Sequence, residues 1–486
     1  MFTYTGHPLV DVGIATILAF VKKRDPADII EKDLTTIKDY MEENYIKEPL
    51  TSLLTVAFPN SGFTNPSIKK EKRKEYADYV LGAYKRNVPR NTLICVFTGR
   101  AATGIPLSKK TPPGKAFRQH IPLITGEGII NFYPSGDAGL PVSGEALLAI
   151  HAFPLGCAKC EGKFLAVHSD NPDLMLDFVK EFLDHNKKLI NLAKESGSKK
   201  LKEPNASART FLIKTLLKIE QQRMEEKLES KPSSVTAYHL SNLGTNPYLE
   251  IYHLPLEITD FLSNAVSAEY KIEWNSIVRR SWWLSQKGKN KKGLETENDI
   301  EASSRRNVLY EDLFKLPDNA HSFIRSYFLR IPKSYGKNDD PRRTYSIKEE
   351  ASLVSWKITE LFIRRVLNMD KEKIEQIKQL GDRLAAYVKE ENDKNFFFAL
   401  FNNRYDRFRT ALIKANLTQV KKGKEPLISL DPYLTIFEDG YEIASSDWRL
   451  SRDLVLIRMI EDLYKEGWLG TNIEAIPDIK SEEETE

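Results

Sequence analysis

The sequence predicts an α+β protein in which a mixed N-terminal domain, residues 1–345, precedes an all-helical bundle, residues 346–475. A β-rich run at 92–97 and a hairpin pattern at 235–254 place strands in the first part, because β-branched and aromatic residues are concentrated there between turn residues. From Ser346 onward the apolar residues recur at helical spacing, and no run has the two-residue alternation of a strand. The chain is therefore expected to combine a sheet-containing domain with a bundle of helices.

The first ninety residues are predicted to be mainly helical. The helix that starts at His7 has the densest apolar face and should be buried, and the next helix opens with Asp25 and Pro26, which are an N-cap and a first-turn proline. A turn-rich loop, Asn60–Pro66, interrupts the helical pattern. The expected segments are helices at 7–24, 25–45 and 68–86, with a short buried helix or strand at 50–58.

Strands and helices alternate in the middle of the chain. Residues 99–120 are expected to form a long loop, and loops of this length are usually functional or mobile. Asn171 and Pro172 are an N-cap and a first-turn proline for a long helix. The expected segments are strands at 92–97, 163–167, 235–240 and 248–254, and helices at 144–153, 171–196 and 205–229.

The C-terminal region is predicted to be helical and to end in an acidic tail, residues 476–486. The net charge of the chain is +4, but the residues from Met369 onward include 18 basic and 24 acidic side chains, so the basic excess lies before them. Such an excess suits a polyanion partner, and it equally suits a solvated face. The expected helices lie at 347–368, 371–391, 396–415 and 451–468.

The size and the composition exclude several classes of protein. A chain of 486 residues is long enough for two to four domains. No apolar run approaches the ~18 residues of a membrane span. Three cysteines cannot build a disulfide framework, and the N-terminus lacks the layout of a signal peptide. We therefore expect a cytoplasmic protein without a membrane partner.

The three cysteines form an incomplete zinc-knuckle pattern over 95–99 and 156–163. Cys157-Ala-Lys-Cys160 has the spacing of two thiolates on a tight turn, and tetrahedral zinc needs four such nitrogen or sulfur ligands. In the earlier segment, which contains Cys95, Thr98 stands where a second pair needs cysteine. Three alternatives remain open: zinc held by Cys95, Cys157 and Cys160 with a histidine, a knuckle fold without metal, or a redox pair.

Basic residues fall into three sets that can follow a phosphate backbone without reading sequence: the predicted loop after Gly99, a glycine-rich loop at 286–293, and a bundle helix. Asn60 and Asn65 have amides that can donate to and accept from base edges, although ordinary turn chemistry explains each of them singly. The candidate nucleic-acid-binding residues are Asn60, Asn65, Arg100, Lys109, Lys110, Lys115, Arg118, Lys287, Lys289, Lys291, Lys292, Arg404, Arg407 and Arg409.

No catalytic grouping stands out in the sequence, which lacks a phosphate-binding P-loop, a dinucleotide glycine fingerprint and a nucleophile elbow. The one candidate is His168-Ser-Asp170-Asn-Pro-Asp173, whose side chains would bind a metal in a nuclease. Asp170 and Asn171, however, are typical capping residues in front of Pro172. We predict that the protein is not an enzyme, and a metal-dependent nuclease with a zinc-stabilised fold is the alternative.

Several of these stretches together resemble one family. Two signatures of that family are similar to Tyr4-Thr-Gly-His-Pro-Leu-Val-Asp11 and Asn60-Ser-Gly-Phe-Thr-Asn-Pro66. The cysteines resemble its paired Cys-x-x-Cys motifs, and residues 238–255 resemble one of its hairpins. The family is the large subunit of type I-B CRISPR surveillance complexes (Cascade), the branch named for those motifs. The resemblance covers most of residues 1–260, and Thr98 departs from it at one zinc ligand.

The resemblance implies a non-catalytic subunit that assembles with a guide RNA and the backbone subunits of the complex. It would recognise the protospacer-adjacent motif on double-stranded target DNA, help to unwind it, and recruit an effector, either a helicase-nuclease or a transposition adaptor. The cofactor would be none, or one structural zinc. Some relatives also produce the bundle separately as a small subunit, and Met369 predicts such a product from Met369 to Glu486.

Overall fold

The computed structural model describes residues 2–109, 111–130, 136–228, 231–243, 247–284, 304–438 and 447–477. The contacts among its residues divide the chain into two units. Unit 1 contains residues 1–219 and 233–256, and unit 2 contains residues 220–232 and 257–486. The fold is mixed α+β, with small sheets in unit 1 and helices throughout the described part of unit 2.

Unit 1 is organised around its first helix, α1 (Pro8–Val21), which is buried along most of its length, as the sequence predicts. The helix packs against three other helices and against a strand of the largest sheet. A Cβ on Gly13 would lie 2.0 Å from the carbonyl oxygen of Ala149, so only glycine permits this close approach of two helices. The other helices of unit 1 are α2 (Glu31–Asn44), α3 (Leu50–Leu54), α4 (Lys70–Leu81), α5 (Gly144–Ala152), α6 (Pro172–Ser196) and α7 (Ala208–Glu225), whose last residues belong to unit 2.

Three antiparallel sheets complete unit 1. One pairs β1 (Arg90–Ile94) with β2 (Ala101–Thr103), and another pairs β3 (Lys115–Ala116) with β4 (Leu140–Pro141). The largest has the order β5-β6-β7-β8, with Ala166 opposite Tyr238 and Tyr238 opposite Ile251. The predicted hairpin is confirmed as β7 and β8. These four strands are β5 (Ala158–Cys160), β6 (Lys163–Ser169), β7 (Val235–Ser241) and β8 (Tyr248–Leu254).

Two local predictions for unit 1 are wrong. Asp25 does cap a helical turn at Pro26, but this is a short 3-10 turn, Pro26–Asp28, and the longer helix begins afresh at Glu31. The segment 99–120 is not one long loop, because it contributes β2 and β3. Strand β3 has only two residues and pairs with a strand more than twenty residues further along the chain, so its own sequence carries no strand pattern.

Every regular element that the structure describes in unit 2 is helical. The helical region begins at Leu256, so residues 257–345, which the sequence groups with the mixed domain, lie in a helical unit. The acidic residues 481–486 lie outside the described residues. The helices are α8 (Leu256–Ala265), α9 (Lys271–Arg280), α10 (Val308–Asp312), α11 (Ala320–Phe323), α12 (Ile347–Glu350), α13 (Trp356–Arg365), α14 (Lys371–Glu391), α15 (Lys394–Ala399), α16 (Tyr405–Lys421), α17 (Leu430–Phe437), α18 (Asp447–Lys465) and α19 (Trp468–Thr471).

A buried carboxylate joins the early and the late helices of unit 2. Asp453 is fully buried, and its Oδ2 lies 2.8 Å from both Arg325 Nη1 and His321 Nε2. Arg452 Nη2 donates to Oδ1 over 2.7 Å. Burial alone raises the pKa of Asp453, but the charges of Arg452 and Arg325 and the hydrogen bond with His321 hold it well below its ordinary value. None of the described helices in either unit is long and apolar enough to cross a membrane.

Two histidines are sealed in the core of unit 1. His120 is completely buried, packs edge-on against Phe117 with 4.6 Å between ring centroids, and has no hydrogen-bond partner for either ring nitrogen among the described residues. His151 stacks on Phe58, and only its Nδ1 is bonded, to the Leu147 carbonyl oxygen. Burial lowers the pKa of His120 to about 3 and that of His151 to about 4, so both are neutral at pH 7.

Acidification should therefore destabilise unit 1 already at pH values well above those at which carboxylates titrate. Unfolded histidine has a pKa near 6.5, so below that pH the unfolded chain binds protons that the folded chain excludes, and stability falls. The substitution His120→Phe should reduce the loss of unfolding free energy between pH 6.5 and pH 5 by about 1–2 kcal/mol. Hydrogen exchange of peptides from α5 measures this loss in unit 1. Tryptophan fluorescence would report on the other unit, since all six tryptophans lie in unit 2.

The substitution His253→Gln is the matched control, because His253 is exposed on β8. It should leave the pH dependence of exchange unchanged. An equal pH dependence in His120→Phe and the unmodified chain would contradict the assignment.

Candidate nucleic-acid interface

The loop Asn60–Asn65 is fixed against α4 by aromatic packing. Phe63 is fully buried, with its ring centroid 5.1 Å from that of Tyr76 on α4. The hydroxyl of Thr64 donates to the Phe58 carbonyl oxygen over 3.0 Å. A Cβ on Gly62 would lie 2.3 Å from the Tyr76 ring, so glycine is required where the loop crosses it. The loop is thus a rigid surface feature that is continuous with the start of α4.

The two asparagines of this loop differ in whether their side-chain amides are available to a ligand. Asn60 is exposed and has a φ of 58°, in the left-handed region that asparagine tolerates better than most residues. Asn65 Oδ1 accepts a hydrogen bond from the backbone N–H of Ser67 over 2.9 Å, as in an Asx turn. The amide of Asn60 is therefore presented at the surface, whereas Asn65 has the turn role that the sequence allowed for both.

The first turns of α4 carry a basic cluster that is absent from the three predicted basic sets. Its four exposed lysines have no ion-pair partner among the described residues, and the neighbouring Arg73 bends back to donate to the Ile68 carbonyl oxygen over 2.8 Å. A run of five basic residues in six, 69–74, is the signal that would have identified it. We call this the α4 lysine cluster: Lys69, Lys70, Lys72 and Lys74.

The predicted basic residues after Gly99 are of two kinds: some are exposed at the surface, and others are paired inside unit 1. Arg100 and Lys109 are exposed, and Lys110 lies outside the described residues. Lys115 is buried, and its Nζ lies 2.7 Å from Asp137 Oδ2. Arg118 is half-buried, and its Nη2 donates to the Asn242 carbonyl oxygen over 2.7 Å. The structure thus gives Lys115 and Arg118 internal partners, and leaves Arg100 and Lys109 available to a ligand.

The basic set in the bundle lies at the start of α16. Arg404, Arg407 and Arg409 are all exposed. Arg404 is the N-cap residue, and its Nη2 lies 3.0 Å from Asp406 Oδ2, so part of its charge is neutralised locally. Arg407 and Arg409 are two positions apart on a helix and therefore point to different sides of it. Lys287, Lys289, Lys291 and Lys292 lie outside the described residues.

Cys157 and Cys160 do not meet on a turn. The backbone is extended from Cys157 through β5, and the turn comes after Cys160, at Glu161 and Gly162, where φ is positive. Residues three apart on a strand point to opposite faces. Accordingly, the Cys157 thiol donates to the Phe153 carbonyl oxygen over 3.1 Å, and the Cys160 thiol donates to that of Ala206 over 3.2 Å.

Cys95 belongs to a separate hairpin, in which its N–H donates to the Arg100 carbonyl oxygen between β1 and β2. Thr98 donates to the Ser143 hydroxyl, and burial raises the pKa of the Cys157 thiol, which disfavours the thiolate that zinc needs. Within the described ranges, no three histidine, cysteine or acidic side chains are grouped so that they could hold a metal ion. The knuckle is therefore not shown, and these residues do not fit a zinc ion as they are arranged.

The nuclease candidate at 168–173 is engaged in structural hydrogen bonds. His168 Nε2 lies 3.3 Å from Asp11 Oδ2, in the interior of unit 1. Asn171 Oδ1 accepts from the N–H groups of Asp173 and Leu174 and so caps α6. The capping role that the sequence predicts for Asn171 is confirmed.

Neither a scan against protein-family models nor a search of curated proteins finds a match for the chain.

The arrangement of the cysteines predicts a protein that folds without zinc. Metal analysis of the purified chain should find less than ~0.1 zinc per chain, and a strong chelator should leave the melting temperature unchanged. The Cys157 and Cys160 thiols bond to different carbonyl oxygens and Cys95 lies in a separate hairpin, so the three cysteines supply no closed ligand set. The variant Thr98→Cys, which restores the second pair, is the informative comparison. About one zinc per unmodified chain, lost together with stability on chelation, would contradict this prediction.

Proposed function

We propose that the protein is a non-catalytic nucleic-acid-binding subunit, the large subunit of an RNA-guided DNA surveillance complex. The single observation that carries the proposal is the α4 lysine cluster beside the rigid loop that presents Asn60. Unpaired lysines on a fixed surface bind phosphates electrostatically, and an exposed amide next to them can contact a base edge. The resemblance of residues 4–11 and 60–66 to the type I-B large subunit supports the assignment to such a complex.

In this proposal the surface of unit 1 contacts the double-stranded target DNA next to the guided region. Asn60 contacts the protospacer-adjacent motif, and the α4 lysine cluster with Arg100 and Lys109 holds the flanking phosphates. Arg407 and Arg409 of α16 contact the backbone of a displaced or target strand. The guide RNA, the backbone subunits and an effector, either a helicase-nuclease or a transposition adaptor, are the proposed partners.

Removing the α4 lysine cluster should weaken DNA binding without affecting the fold. Replacing Lys70, Lys72 and Lys74 by alanine should raise the dissociation constant for duplex DNA at least ~10-fold in about 100 mM salt. The slope of log affinity against log salt concentration should fall by about 2–3, since each lost phosphate contact contributes about 0.9. Fluorescence anisotropy over a salt series, using the full chain, measures both quantities.

The matched control replaces Lys199, Lys200 and Lys202, which are also exposed but lie after α6. This variant should bind within about twofold of the unmodified chain. If both triple variants lose affinity equally, binding is a general effect of charge, and the proposed interface is wrong. Cleavage of DNA by the purified chain in magnesium or manganese would instead favour the nuclease.

We also propose that a separate product starts at Met369, in the connection between α13 and α14. Such a product contains α14–α19 but lacks Arg325 and His321, so the buried carboxylate of Asp453 would keep only Arg452 of these three partners. It should therefore be stable mainly when assembled with other subunits. Expression of the whole gene with a C-terminal tag should give a second, shorter band that Met369→Leu abolishes, and full-length chain alone would exclude the product.

A further inference from the structure

Unit 1 contains an apolar cavity of about 240 Å³ on one face of its largest sheet. The floor of the cavity is formed by cross-strand neighbours: Ala166 of β6 lies opposite Tyr238 of β7, and Leu240 of β7 lies opposite Leu249 of β8. Leu249 is 49% exposed and marks the mouth, whereas Ala166 and Leu240 are buried at the base. The walls are formed by His7, Pro8, Leu9, Phe97, Ile121, Pro122, Leu123, Ile124, Leu140 and Phe153.

The lining of this cavity carries no charge. His7 and Tyr238 are its only members with polar side-chain atoms. Burial lowers the pKa of His7 and raises the pKa of Tyr238, so both are neutral at pH 7. The charged or titratable groups that act on His7 are Asp11, which favours its protonation, and His168, which opposes it. A charged ligand would lose its hydration here without gaining a partner of opposite charge.

The wall formed by residues 121–124 is anchored at two points by Arg118. The N–H of Arg118 donates to the Thr125 carbonyl oxygen over 3.0 Å and closes this segment into a loop. The guanidinium of Arg118 then ties the loop to Asn242, at the end of β7. Within the loop, Leu123 has a φ of 67°, in the left-handed region that leucine rarely adopts. Strained backbone of this kind persists only where the surroundings enforce it, and it is concentrated at ligand sites.

We propose that this cavity binds a small neutral molecule with an apolar body of about ten to twelve carbon atoms. The size follows from a comparison: a dry apolar cavity of about 150 Å³ is sufficient for benzene, so this one has room for a two-ring or branched hydrocarbon body. The site differs from the proposed DNA contacts, since its lining contains no lysine or arginine to pair with a phosphate. It gives Arg118 the role of a positioning residue for the cavity wall.

Equilibrium dialysis of the full chain against naphthalene, a neutral ten-carbon probe, tests the proposal. Saturable binding is expected with a dissociation constant of about 10–100 µM. The anion 2-naphthoate, which has the same ring system and a carboxylate, should bind at least ~10-fold more weakly. Since Leu249 stands at the mouth and is half-exposed, Leu249→Arg should also weaken naphthalene binding ~10-fold without preventing folding.

The matched control is Ile251→Arg, on the same strand and the same sheet face but outside the lining, which should bind within about twofold of the unmodified chain. Ala166→Leu fills the floor, and it should abolish binding while leaving hydrogen exchange of β6 as slow as before or slower. The proposal is overturned if the unmodified chain shows no saturable binding, if Ile251→Arg loses as much affinity as Leu249→Arg, or if 2-naphthoate binds as tightly as naphthalene.

Discussion

The buried carboxylate of Asp11 fixes the start of the helix on which unit 1 is assembled. It accepts hydrogen bonds from the N–H groups of Thr5 and Gly6 over 2.7 and 2.8 Å, from the Thr5 hydroxyl over 2.8 Å, and from His168 of β6 over 3.3 Å. Burial alone raises the pKa of Asp11, but these hydrogen bonds outweigh burial and lower that pKa. The charged carboxylate therefore stabilises the fold at neutral pH. This stabilisation is lost as the pH falls through the pKa of Asp11 in the folded chain. The N-terminal segment, α1 and the central sheet are thereby joined at one point. Residues 4–11 thus have a structural role: they maintain the core that supports the surface loops.

The sequence predicts best those elements whose signals are local. Pro172 preceded by Asn171 gives the start of α6, the β-rich runs at 235–240 and 248–254 give both hairpin strands, and the apolar face after His7 gives α1. The misses have a common cause, which is that the deciding partner is distant in sequence. Strand β3 exists because β4 pairs with it, and Lys115 is interior because Asp137 is there to neutralise it. No window of a few residues contains that information, since an exposed and a paired lysine have the same local sequence.

The candidate site could be predicted from the sequence only in outline. The turn residues of 60–66 predict a loop, but which of its amides faces outward depends on the Asx turn of Asn65 and on the packing of Phe63 against Tyr76. The α4 lysine cluster was visible as a charge run, yet its exposure and lack of ion pairs are properties of the folded chain. The cysteine spacing suggested a knuckle because a Cys-x-x-Cys pair is typical of a turn, whereas here the same spacing lies on an extended strand, where alternation separates the two thiols. Spacing along the chain therefore predicts a metal site only once the backbone conformation is known.

We propose that the basic surface of unit 1 serves an RNA-guided complex, and not a free DNA-binding protein. Co-expression of this chain with a tagged guide RNA and the products of its neighbouring genes, followed by purification through the RNA tag, tests it most directly. The full-length chain should be recovered in a fixed ratio to the guide RNA, and the Lys70, Lys72 and Lys74 variant should still assemble but bind target DNA more weakly. Recovery of the guide RNA and its other proteins without this chain would show that the chain is not a subunit of such a complex.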